Sequence, residues 1–125
     1  MFVTLLQVAL GGALGASARY LTGVAAMRLI GPGFPWATLV VNIFGSFLMG
    51  VLIVVLAHKG ETRLAPFLMI GVLGGFTTFS AFSLDALTLF ERGQVWVAAA
   101  YVIVSVVFSL GAIVAGLVAA RGFFA

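Results

Sequence analysis

The chain has no cysteine, so disulfides, thiolate metal sites and thiol catalysis are excluded. Charge is scarce as well. Six basic and three acidic side chains make up 7% of 125 residues, against about a quarter in a soluble domain. Histidine occurs once, at His58 beside Lys59, where it reads as a solvated loop residue. So sparse an inventory offers no nucleophile–base pair and no cluster of metal ligands, which argues against an enzyme. No linker or low-complexity segment interrupts the chain, and it reads as one domain. The "ASA" at Ala16 to Ala18 has the pattern of a signal-cleavage site. Nothing basic precedes the apolar run before it, so that run is expected to belong to the mature protein.

What is present is hydrophobic: 64% of all residues. No water-soluble fold of this length could cover that much apolar surface. The chain is therefore expected to be an integral membrane protein. Its net charge of +3 then suggests contact with the anionic headgroups of the lipid bilayer rather than with nucleic acid. A helix needs about 20 apolar residues to cross a bilayer. Four segments qualify, about Phe2 to Met27, Trp36 to Leu56, Leu64 to Phe90 and Val95 to Ala120. They predict an all-α domain of four transmembrane helices. The connections are "GPGFPW" (Gly31 to Trp36), the polar "HKGETR" (His58 to Arg63) and "ERGQVW" (Glu91 to Trp96), with Trp36 and Trp96 at interface level.

Orientation follows lysine and arginine near the span ends. The side holding the N-terminus, the second loop and the C-terminus carries Lys59, Arg63 and Arg121. The other side carries Arg28 and Arg92, with Arg19 if its side chain extends that way. Two readings fit so even a distribution. Either one orientation wins by a small margin, or copies insert both ways and assemble antiparallel.

Polar residues inside the spans fall into rows. Thr38, Asn42 and Ser46 are spaced i, i+4, i+8 on one face of the second span, and Gly50 extends the row. Asn42 is its key member, because a carboxamide is costly in hydrocarbon unless partnered and carries two N–H donors. It reads equally as glue to a neighbouring helix or as part of a transport path. Tyr101, Ser105 and Ser109 repeat the spacing in the fourth span, where serines also read as back-bonded to their own helix. Gly11 and Gly15 form a GxxxG in the first span, as do Gly71 and Gly75 in the third, which reads as close helix packing. Arg19 lies deep enough to need a partner or a route to the interface. Asp85, late in the third span, is expected to pair with Arg19 or to cap a backbone group, ahead of a proton-coupled role.

The third span also contains "GGFTTFSAFSLD" (Gly74 to Asp85), with phenylalanine at every third position, Phe76, Phe79 and Phe82. Gly74 and Gly75 followed by hydroxyl residues would let the backbone unwind near the middle of the span. Freed carbonyls there make a hard oxygen site suited to a small cation. A phenyl ring has a negative face and a positive edge, so an edge-on ring can face a small anion without bringing a full charge. The same rings also read as apolar filler.

These motifs carry a resemblance. With "GGALGASARY" in the first span, "PWATLVVNIFGSFLMG" in the second and "GGFTTFSAFSLD" in the third, the chain resembles the Fluc (CrcB-type) fluoride channels of microbes along essentially its whole length. The resemblance implies an antiparallel, dual-topology homodimer with two pores in the cell (inner) membrane. It implies a structural Na⁺ at the dimer centre, held by backbone carbonyls of Gly74 and Thr77 from each chain. It further implies that Asn42 donates hydrogen bonds to fluoride, that Phe79 and Phe82 are the pore phenylalanines, and that Tyr101, Ser105 and Ser109 line a polar track. Ile113 continues that track where some members carry a further hydroxyl, and Asp85 stands where many carry Glu. The implied mechanism is passive. HF crosses the membrane, dissociates in the more alkaline cytoplasm, and the trapped anion leaves through the channel, which relieves fluoride toxicity.

Two other classes fit these residues less well. A small proton-coupled multidrug exporter of four spans needs a carboxylate in the first span, and none is there. An accessory subunit that only scaffolds a larger complex has no need of two polar rows.

Overall fold

The computed structural model describes residues 1–60 and 62–125. Glu61, in the polar loop expected over His58 to Arg63, lies outside the described residues. The described chain is helical: α1 (Phe2–Leu29), α2 (Trp36–Lys59), a π-helical stretch (Pro66–Leu73), α3 (Gly74–Phe76), α4 (Phe79–Glu91) and α5 (Val95–Phe123). The π-helical stretch, α3 and α4 together form the third of four apolar segments long enough to cross a membrane. The protein is a multi-pass membrane protein.

Helix ends follow local chemistry. α2 stops at Gly60, whose left-handed backbone (φ 65°) an L side chain would resist. His58 is not a loop residue. It lies in the last turn of α2 and stacks on Phe124 with ring centroids 4.0 Å apart, which ties the end of α5 to the end of α2. At the other edge, Gln7 donates to the Arg63 carbonyl at 2.9 Å and fixes the start of α1 to the second connection.

α2 packs chiefly on α5, and α1 chiefly on the π-helical stretch and α3. Both contacts are backbone to backbone. A Cβ on Gly15 would strike the Val72 carbonyl, and one on Gly71 would sit 2.8 Å from the Gly11 Cα. Across α2 and α5, a Cβ on Gly50 would meet the Ile113 carbonyl and one on Gly116 the Phe47 carbonyl. In lipid, where apolar burial drives little association, such close approach supplies the packing attraction. The buried cluster is correspondingly small. Leu39, Phe82, Leu89, Ala98 and Tyr101 form it between α2, α4 and α5. Most other large apolar side chains face outward, as a lipid solvent permits.

The third segment breaks, but not at its glycine pair. Gly74 and Gly75 remain helical, and the backbone turns extended at Thr77 (φ −83°, ψ 158°) and Thr78 (φ −154°, ψ 122°). The expected unwinding at Gly74 and Gly75 is therefore displaced. Gly75 serves packing instead, since a Cβ there would lie 2.8 Å from the Gly12 carbonyl oxygen. The β-branched threonines suit extended backbone. Thr78 then restarts the helix as N-cap of α4, its hydroxyl accepting from the Ala81 N–H at 3.1 Å.

Candidate functional site

A break at membrane depth leaves backbone groups that must find partners. Leu73 C=O accepts from Thr77 N–H at 3.0 Å and from the Thr77 hydroxyl at 2.9 Å. Gly75 C=O accepts from Arg19 Nε at 3.1 Å. Thr78 is served by Asn42. Its N–H donates to Asn42 Oδ1 at 2.8 Å, and its C=O accepts from Asn42 Nδ2 at 3.0 Å. Arg19 and Asn42, on two different helices, thus hold the break from opposite sides of its sequence.

The break opens onto a cavity of about 330 Å³. Asn42 and Ser46 line it from α2, Thr77 and Thr78 from the break, Phe79 and Phe82 from α4, and Ser105 and Ser109 from α5, with Val106 and Leu110 beside them. No charged side chain lines it among the described residues. Phe82 is buried at 8% exposure and Phe79 is 78% exposed, with ring centroids 5.6 Å apart and planes at 49°. Ser105 is 5% exposed, and its Oγ has no hydrogen-bond partner among the described residues. Leaving a buried hydroxyl without a partner costs about 1–3 kcal/mol. Asn42 has a second N–H beyond the one Thr78 takes.

Six of the eight side chains expected along a fluoride path thus border one cavity: Asn42, Ser46, Phe79, Phe82, Ser105 and Ser109. Thr38 and Tyr101 do not. Thr38 borders a separate groove with Arg19, Tyr20 and Ala81. Tyr101 is fully buried, and its hydroxyl donates to Asp85 Oδ2 at 3.1 Å. Asp85 therefore pairs with Tyr101 and not with Arg19, which is bound to Gly75 C=O. Helical spacing put Thr38 and Tyr101 on the right faces, but those faces are longer than the cavity. Thr77 and Thr78 enter the cavity wall because the break turns them inward, and their hydroxyls were its one visible signal.

Groups of three or more His, Cys, Asp or Glu that could hold a metal are absent among the described residues. A cation site at the break would rest on backbone oxygen alone. Gly74 is exposed and Thr77 is half-buried.

The family described as CrcB-like protein, Camphor Resistance (CrcB), matches residues 6–117. A protein of Cereibacter sphaeroides named "Fluoride-specific ion channel FluC" is 70% identical over 125 residues, covering all of both chains. Proteins of the same name from Ruegeria sp. and Paracoccus denitrificans are each 60% identical over 98% of both chains.

Proposed function

The chain belongs to the CrcB-like family, and from that premise we propose that it is a fluoride-specific ion channel. It moves the anion passively and catalyses no reaction. The observation that carries this reading is the unpartnered Ser105 hydroxyl beside Asn42 and the two phenylalanines in an uncharged cavity. A small anion entering there receives O–H and N–H donors and the positive ring edges of Phe79 and Phe82. It meets no fixed cation that would hold it. Conduction needs sites attractive enough to enter and weak enough to leave, and hydrogen bonds without a counter-charge meet both demands. Fluoride is small and accepts strong hydrogen bonds, so it gains most from this lining.

The working unit in this reading is an antiparallel homodimer of dual topology in the cell (inner) membrane, which lets fluoride leave the cytoplasm and relieves its toxicity. Backbone carbonyls of Gly74 and Thr77 from both copies would hold a structural Na⁺ between them. A set of neutral oxygens suits a monovalent hard cation better than Ca²⁺ or Mg²⁺, which usually recruit carboxylates. When bound, the ion supplies charge that fixes the two breaks together.

Purified protein in liposomes tests the function. Fluoride and chloride efflux are followed with ion-selective electrodes. Rapid fluoride release with negligible chloride release is expected, and liposomes that retain fluoride would sink the proposal.

A further inference from the structure

Tyr101 was expected to offer its hydroxyl along the anion path, yet the structure spends that hydroxyl elsewhere. The phenol is fully buried and donates to Asp85 Oδ2 at 3.1 Å. Its ring lies 5.3 Å from that of Phe82 at 43°, and 5.4 Å from that of Phe34 at 89°. Phe82 is itself buried and forms a wall of the cavity, so Tyr101 is the backing against which that wall rests. Asp85 follows Phe82 by three residues on α4, and the same helix therefore carries both the pore ring and the acceptor that fixes its backing.

We propose that Asp85 is a positioning residue of the fluoride path: it fixes the phenol of Tyr101, and Tyr101 fixes the ring of Phe82 at the cavity wall. The proposal rests on the fluoride-channel reading above. A buried tyrosine hydroxyl keeps an acceptor. A hydrogen bond to a carboxylate is directional and roughly twice as strong as a neutral one. It sets where the phenol lies across the back of Phe82, and hence which part of the phenyl ring, positive edge or negative face, meets the anion. Asp85 does not touch the anion in this arrangement, and its charge is engaged by the donated O–H. What the role requires is an acceptor at this place. Asparagine retains one and leucine does not.

The test uses full-length protein in which Tyr20, 71% exposed, is replaced by Phe, so that Tyr101 is the only tyrosine left. In liposomes, Asp85→Leu should lower fluoride efflux about tenfold or more. Asp85→Asn should stay within about twofold of the parent, because the acceptor remains. The ultraviolet resonance Raman doublet of tyrosine reports how strongly a phenol donates. It should lose its strong-donor signature in Asp85→Leu and keep a donor signature in Asp85→Asn. Tyr101→Phe removes the same bond from the other end and should show a similar loss of flux. Asp85→Leu added to Tyr101→Phe should cost nothing further. Parent-like flux in Asp85→Leu or Tyr101→Phe overturns the proposal, as does an additional loss in the double variant or an unchanged doublet in Asp85→Leu. If Asp85→Leu does not fold, Asp85→Asn and Tyr101→Phe decide the matter between them: the first must keep flux within about twofold of the parent and the second must lose about tenfold. Parent liposomes that retain fluoride would overturn the channel reading and this role with it. A conducting parent with indifferent variants would overturn this role alone.

Discussion

Asn42 grips the backbone of Thr78 at two points, accepting from its N–H at 2.8 Å and donating to its C=O at 3.0 Å. The pairing has the form of a strand contact made by a side chain. It satisfies two groups that lost their helical partners when Thr77 and Thr78 became extended. The same amide borders the cavity. Glue between helices and a place on the path, which stood as alternatives in the sequence, are compatible in one residue, because a carboxamide has more hydrogen-bonding groups than Thr78 uses.

Asn42→Asp separates these tasks from simple volume. The carboxylate still accepts from Thr78 N–H, but it offers no donor to Thr78 C=O and places negative charge on the proposed anion path. Fluoride efflux from liposomes should fall below detection. Thermal unfolding should show a loss of about 1–3 kcal/mol for the unpaired carbonyl. A folded variant that conducts like the parent would reduce Asn42 to glue.

Phe82 and Phe79 should respond differently to isoleucine. Phe82 is buried with its ring against Tyr101, whereas Phe79 is largely exposed, its ring centroid 5.6 Å from that of Phe82. Phe82→Ile removes a packed ring and its edge, and should lower both stability and flux. Phe79→Ile removes an edge but little packing, and should lower flux with unfolding temperature nearly unchanged. If both variants conduct normally, the rings are apolar filler.

How much of this the sequence discloses depends on the range of the interaction. Span number and the polar rows of α2 and α5 follow from apolar length and from i, i+4 spacing, which are local. The π-helical stretch Pro66–Leu73 was not legible, because hydropathy is blind to how a helix is wound. The sequence puts the break at Gly74, Gly75 and the hydroxyl residues after them; the structure opens the backbone at those hydroxyl residues, Thr77 and Thr78, while Gly75 stays helical and packs against Gly12. The partners of Asp85 and Arg19 lie on other helices, 16 and 56 residues away, where no spacing rule reaches.

Close backbone contact predicts which glycines tolerate a methyl group. Gly15 and Gly23 share α1, yet a Cβ on Gly15 meets the Val72 carbonyl while a Cβ on Gly23 meets nothing within 4 Å. Gly15→Ala must push α1 off the π-helical stretch and should give little folded protein in detergent. Gly23→Ala should be neutral or stabilising, by up to about 1 kcal/mol from helix propensity. Size-exclusion profiles and thermal melts compare the two. Equal behaviour would show that the α1 contact is looser than it appears in the structure.

Architecture is the remaining prediction. Lys59, Arg63 and Arg121 stand on one side against Arg28 and Arg92 on the other, so charge gives insertion little direction. Copies inserted both ways can pair antiparallel and bring two breaks together, each with an exposed Gly74 and a half-buried Thr77. Single cysteines at Lys59 or Thr62 should then be labelled by an impermeant thiol reagent from both sides of the membrane in comparable amounts, a clean assay because the chain has no cysteine of its own. Three added lysines in the same loop should bias insertion and abolish flux. Co-expression with an oppositely biased variant should restore it, since only the mixture holds both orientations. One-sided labelling of an unbiased, fully active protein would defeat the antiparallel pairing. The carbonyl site shared between two oppositely inserted copies would fall with it.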